Sequence, residues 1–242
     1  MTFVHRLEHL KAQVRAIEAP KLRPVVSLGE EAMERVLPWG GLPLACQHEV
    51  AGLPGDRGGA FGFALGLLVR LGGKAPILWC QRSDAAGETG TLYAPGLADF
   101  GLVAERLLVV RAQNTAQVLW VMEEGLRSSG LAAVVGEVDE VGFADSRRLQ
   151  LAAEAGGVTA LTIVPHQTAI SGAVTRWSVA SSGRREADRW EWAPRWHVAL
   201  TRARGGAPAQ WELEWDRAQG HFSVAAGVCD RSAEPRPAQM AG

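Results

Sequence analysis

A chain of 242 residues with 47% hydrophobic and 21% charged residues can bury one sizeable core, and a single main domain is the expectation below roughly 250 residues. A formal net charge of -1 excludes the global positive field that draws proteins onto nucleic acid or acidic membranes, so any DNA contact has to be local. Cys46, Cys80 and Cys229 form no CxxC pair and leave one over, which argues against a disulfide framework or a zinc site and fits a reducing cytoplasm.

The N-terminus has no apolar signal core, and no run reaches the roughly 18 uncharged apolar residues of a membrane span, so the reading is a soluble protein without membrane contact. Phe3, Leu7, Leu10, Val14 and Ile17 recur at 4-3-4-3 spacing among charged residues, which predicts an amphipathic helix over 3–18 ended by Pro20 and Pro24. Such a helix either covers the chain's own core or docks on a partner, and spacing leaves both open. His5 and His9 on that helix stand without a third ligand and read as a polar face. Residues 1–24 are thus an N-terminal helix and linker, 25–226 the main domain, and 227–242, rich in Pro, Ala and charge, a disordered tail.

From Gln47 short apolar runs alternate with helix-length segments. Strands are predicted at 49–51, 77–80, 107–110, 132–135 and 160–164, and helices at 60–71, 115–129 with Thr115 as a possible cap, and 144–155. Strands apolar on both faces and separated by helices imply an α/β fold, a mostly parallel sheet flanked by helices. After Gly172 the rhythm becomes one of antiparallel strands, at 174–180, 196–202, 210–215 and 221–224, in which large apolar residues alternate with polar or small ones.

The segment from Gly52 to Ala60 lies between a strand and a helix, where a phosphate loop would sit. A working loop needs glycines for close backbone approach, a lysine for the β/γ-phosphates and a hydroxyl for Mg²⁺. Gly52, Gly55, Gly58 and Gly59 supply only the first, a degenerate phosphate loop. Aligned with a one-residue insertion, Gly59 stands for the lysine and Ala60 for the hydroxyl; without it, Arg57, Gly58 and Gly59 fill the three places. The strand at 132–135 runs into Gly136 where a metal-binding acid would be expected, although Glu137 and Asp139 follow closely. No catalytic constellation, metal site or cofactor motif stands out elsewhere.

The run Leu37-Pro38-Trp39-Gly40-Gly41-Leu42-Pro43 before the glycine loop resembles the start of the RecA ATPase core. The C-terminal pieces are more specific: Thr175-Arg176-Trp177-Ser178-Val179, the run from Arg195 to Gly206 and Trp211-Glu212-Leu213-Glu214-Trp215-Asp216 resemble ImuA, a family of RecA-like accessory proteins of bacterial damage-inducible mutagenesis. The likeness covers about residues 1 to 226. It implies a RecA-like sheet and a non-enzymatic role in SOS-regulated translesion synthesis and DNA repair beside ImuB, an inactive Y-family polymerase homologue, and an error-prone C-family polymerase, with RecA a further candidate contact. It also places Gln81 and Arg82, with Asp84 displaced, where RecA carries the glutamate that activates water, and Gln167 or His166 near its γ-phosphate sensor, here read as loop residues. The loop 168–174, which in RecA meets single-stranded DNA, is short and uncharged, with no aromatic to stack a base. Any DNA binding is expected to be weak or indirect.

Six of the nine tryptophans follow residue 170, and Arg184, Arg185, Arg189, Arg195, Arg202 and Arg204 interleave with Trp190, Trp192 and Trp196. Core and mixed surface, protein interface and single-strand groove all use these residue types. The candidate partner surface is Phe3, Leu7, Leu10, Val14, Arg184, Arg185, Trp190, Trp192 and Arg195. Two rival readings are a weak nucleotide-binding ATPase with displaced acids and a cell-division inhibitor of the SulA type.

Overall fold

The computed structural model describes residues 5–6, 24–83, 90–182 and 193–225. In chain order these form β1 (Val25–Val26), α1 (Glu31–Glu34), β2 (Leu42–Pro43), β3 (Gln47–Ala51), α2 (Arg57–Arg70), β4 (Ile77–Arg82), α3 (Ala94–Asp99), β5 (Leu107–Ala112), α4 (Thr115–Leu126), β6 (Ala133–Glu137), α5 (Phe143–Gly156), β7 (Thr159–Val164), β8 (Thr175–Ser181), β9 (Arg195–Ala203), β10 (Ala209–Asp216) and β11 (His221–Val224). Nine strands make one sheet in the order β11-β10-β9-β8-β3-β7-β6-β4-β5, and β1 pairs with β2 apart from it.

From β5 to β8 every neighbouring pair is parallel, and β8 to β11 is an antiparallel meander. The predicted α/β class, with antiparallel strands added at the C-terminal side, is therefore the fold. Helix α2 covers one face, joined by Met33 of α1 and Leu97 of α3, while α4 and α5 cover the other. Burial on both sides explains why β7 reads as an unbroken buried run. In β9 only one face is covered, and Trp196, Val198 and Leu200 point inward past the exposed His197.

Of the C-terminal tryptophans in the described residues, Trp177, Trp196 and Trp215 are core and Trp211 packs half-buried against them. Trp177, Trp196 and Trp215 are almost fully buried around Phe63 and Phe222, with ring centroids 5.4 Å apart for Phe63 and Trp177 and 4.9 Å for Trp215 and Phe222. Glycines on α2 let these rings approach. A Cβ on Gly62 would lie 3.0 Å from the Trp196 ring and one on Gly66 2.5 Å from Phe222.

Three expectations need correction. Asn114, not Thr115, caps α4, its side chain accepting from the Gln117 N–H at 2.9 Å. Helix α2 begins three residues before the predicted start, at Arg57. Strand β6 continues through Gly136 to Glu137. The sequence signals for α1 and α3, each under two turns, were too short to read. Of the predicted N-terminal helix only His5 and Arg6 are described, both helical.

The glycine seam gives a sign test. Alanine normally stabilises a helix interior over glycine by about 1 kcal/mol. Gly66→Ala should instead destabilise the protein by about 1–3 kcal/mol through overpacking, whereas Gly58→Ala, whose Cβ would meet nothing closer than 4.0 Å, should be neutral or stabilising in urea unfolding.

Candidate functional site

The loop between β3 and α2 is shaped by a turn. Leu53-Pro54-Gly55-Asp56 closes with the Asp56 N–H donating to the Leu53 carbonyl at 2.9 Å, and Gly55 at φ +80° takes the left-handed position that Pro-Gly turns require. The Gly52 N–H donates to the Val164 carbonyl at 3.0 Å, and a Cβ there would lie 2.7 Å from the Asp56 carbonyl oxygen. Gly52 and Gly55 are thus demanded by the loop's own path. Gly58 is exposed and open on its side-chain side.

At the start of α2, where helix N–H groups would meet a phosphate, the protein places its own carboxylate. Asp56 is the N-cap: it accepts from the Gly59 N–H at 3.0 Å, from the Ser181 hydroxyl at 2.8 Å and, very closely, from the Ser181 N–H. Burial alone would raise the Asp56 carboxyl, but the two backbone N–H groups and the Ser181 hydroxyl outweigh it and hold the group below its ordinary value. Gly59 is pressed against this bridge, since a Cβ would lie 2.9 Å from the Ser181 nitrogen. Gly59, the lysine's place in the alignment with a one-residue insertion, therefore has no room for a side chain, and Ala60 beside it is buried in the core, whereas Gly58, the lysine's place without the insertion, is open.

The acids after β6 are engaged as well. A Cβ on Gly136 would strike the Met122 thioether of α4, so this position faces away from the glycine loop. Glu137, one residue on, faces it and accepts from the Trp79 indole N–H at 2.5 Å. Burial raises the Glu137 carboxyl above its usual range, against the lowering effects of Trp79 and of Arg57. Asp139 lies between two guanidiniums, 3.0 Å from Arg57 and in close contact with Arg82. Among the described residues no group of three or more His, Cys, Asp or Glu is arranged to hold a metal ion.

Gln81, Arg82, Glu137 and Asp139, with Phe61 and Phe100, belong to the lining of a cavity of about 940 Å³ at the carboxyl ends of the parallel strands, the usual position of ligand crevices in open α/β sheets. Asp84 lies outside the described residues.

Around the loop after β7, Arg176 faces inward: it is 7% exposed, pairs with Glu49 at 2.7 Å and donates to the Thr168 carbonyl at 2.6 Å. Gln167 accepts from Thr201 at 2.9 Å, and His166 is an exposed loop residue. Of the candidate partner surface, Arg195 is described, half-buried and ion-paired with Glu214. Phe3, Leu7, Leu10, Val14, Arg184, Arg185, Trp190 and Trp192 lie outside the described residues. No described helix is long and apolar enough to cross a membrane. Sequence reasoning missed Asp56 and Ser181. An aspartate directly before a helix was the available signal for the first, whereas Ser181, 125 residues away, announced itself by nothing local.

No family model matches the chain. It is 37% identical over 219 residues to Protein ImuA of Caulobacter vibrioides strain NA1000 / CB15N, an alignment spanning 82% of this chain and 86% of the relative, and it is similar to the same extent to Protein ImuA of a second strain of that species.

The cap can be tested by pH. Asp56→Ala should cost about 0.5–2 kcal/mol at neutral pH. A carboxyl whose folded value is depressed contributes stability above its unfolded value, near 3.9, and loses it as pH falls through the folded one. The stability gap between wild type and Asp56→Ala, measured by chemical unfolding, should therefore persist at pH 5 and narrow steadily towards pH 2.

Proposed function

Because the chain belongs to the ImuA family, we propose that it is a non-catalytic, RecA-like adaptor in SOS-induced translesion synthesis and mutagenesis. It would act beside an ImuB-type inactive Y-family polymerase homologue and an error-prone C-family polymerase, with RecA as a further contact. The observation that carries the non-catalytic part is the Asp56–Ser181 bridge. It satisfies the helix N–H group that a phosphate would need, puts negative charge where the phosphate would sit, and leaves no space at Gly59 for a lysine.

The remaining ATPase parts agree. The likeness to RecA puts Gln81 and Arg82 nearest the water-activating position, with Asp84 as a displaced carboxylate. Glu137 is engaged by the Trp79 indole N–H and burial raises its carboxyl, and Asp139 would have to leave two arginines to bind Mg²⁺. An adaptor needs a stable scaffold carrying contact surfaces, and the described residues supply that scaffold in the tryptophan-rich core.

Two measurements check this. ATP with Mg²⁺ should give neither saturable high-affinity heat by titration calorimetry nor phosphate release, and the double change Gly59→Lys with Ala60→Thr should restore neither while lowering stability. Pull-down with the ImuB-type partner should succeed in the absence of nucleotide and be unaffected by it. Turnover abolished by Glu137→Gln, or a pull-down that depends on ATP, would establish the ATPase reading instead.

A further inference from the structure

The strand register builds a polar step into the floor of the large cavity. Cys80 of β4 pairs with Gly136 of β6, so the next residues, Gln81 and Glu137, are neighbours, and Glu137 pairs in turn with Ile163 of β7. Side chains alternate, and Gln81 and Glu137 share the α2 face with Trp79 and Val135, both core residues of that side. Gln81 is 2% exposed, yet its Oε1 has no hydrogen-bond partner. Leaving a buried carbonyl unpaired is an uncompensated desolvation cost, which a donor from a ligand would remove.

The surroundings narrow the ligand's chemistry. Phe61, Leu97, Phe100 and Trp196 give the cavity a largely aromatic and aliphatic wall, and its volume, about 940 Å³, is within the range of small-ligand sites. A phosphate in the glycine loop is opposed by the Asp56 carboxylate. Arg57 and Arg82, which also line the cavity, are already engaged by Asp139, so a charged ligand would have to compete with existing ion pairs. A wholly apolar ligand would leave Gln81 Oε1 as it is. What fits is a flat, neutral group with a hydrogen-bonding edge. Amide and carboxyl side chains are among those that read the edges of bases, Gln pairing with adenine and Glu accepting from the cytosine amino group, and aromatic side chains provide stacking surfaces for an extruded base.

We infer that this cavity receives a single nucleobase, its edge held by Gln81 and Glu137 and its face against the aromatic wall, with no phosphate in the glycine loop. The base arrives either on a nucleoside or as an unstacked base of a single strand. The chemistry at the floor is the same for both, and the site is independent of the adaptor role.

The test uses the full chain, titrated separately with adenosine, cytidine, guanosine and thymidine and followed by ligand-observed NMR and thermal shift. At least one nucleoside should bind at millimolar concentration or below. Gln81→Leu should weaken it at least tenfold while the unliganded variant melts at or above the wild-type temperature, because an unpartnered polar group has been removed. Glu137→Gln, which keeps an acceptor for Trp79, should change which nucleoside is preferred. ATP with Mg²⁺ should bind no more tightly than adenosine. A short single-stranded oligonucleotide that displaces the nucleoside, and fails to do so when abasic, identifies the strand as the source; a nucleoside that no strand displaces identifies the nucleoside. Absence of binding by every nucleoside and strand, equal binding by Gln81→Leu, or ATP binding at least tenfold tighter than adenosine would overturn the inference.

Discussion

The approach of helix α2 to the antiparallel meander sets the rest of the geometry. Gly59, Gly62 and Gly66 line the side of the helix that meets Ser181, Trp196 and Phe222, so backbone and rings touch where side chains would otherwise separate them. That contact seats the large aromatic residues in the core beneath a nine-stranded sheet and fixes β8 close enough for Ser181 to reach Asp56. It also fixes where Trp196, a wall of the cavity, stands relative to α2. Packing and site chemistry therefore rest on the same few missing Cβ atoms.

The bridge between Asp56 and Ser181 follows from this closeness. A helix N-terminus with unsatisfied N–H groups attracts an anion, from outside or from within the chain. An internal carboxylate has no association entropy to lose and is present at all times. An external phosphate would have to displace it without the lysine that normally compensates the added charge. The same glycine richness that resembles a phosphate loop in sequence is used here for a tight turn and a close helix–strand contact, and the two uses cannot be told apart from glycine spacing alone.

This difference also marks how far the sequence could be read. The α/β class and most parallel strands were legible because strands buried on both faces are continuously apolar, and the meander because Trp196-His197-Val198-Ala199-Leu200 alternates. The loss of the lysine and hydroxyl was legible because it concerns residue identity. The capping of α2 by Asp56 together with Ser181 was not, because it depends on Ser181 meeting a residue 125 positions earlier. The tryptophans were ambiguous for a related reason: core and interface use the same residue type, and only the position of α2 places Trp177, Trp196 and Trp215 inside.

Parity along β6 shows the same limit at the acidic position. Read as a string, the strand ends in Gly136 and the acid is missing. In the sheet, Gly136 points to α4, where Met122 fills the space, so an acid there would face away from the glycine loop. Glu137 faces the loop side, half-buried and accepting from the Trp79 indole N–H, and burial raises its carboxyl above the ordinary value. The carboxyl therefore stands next to Gln81 on the cavity side of the sheet, one residue beyond Gly136.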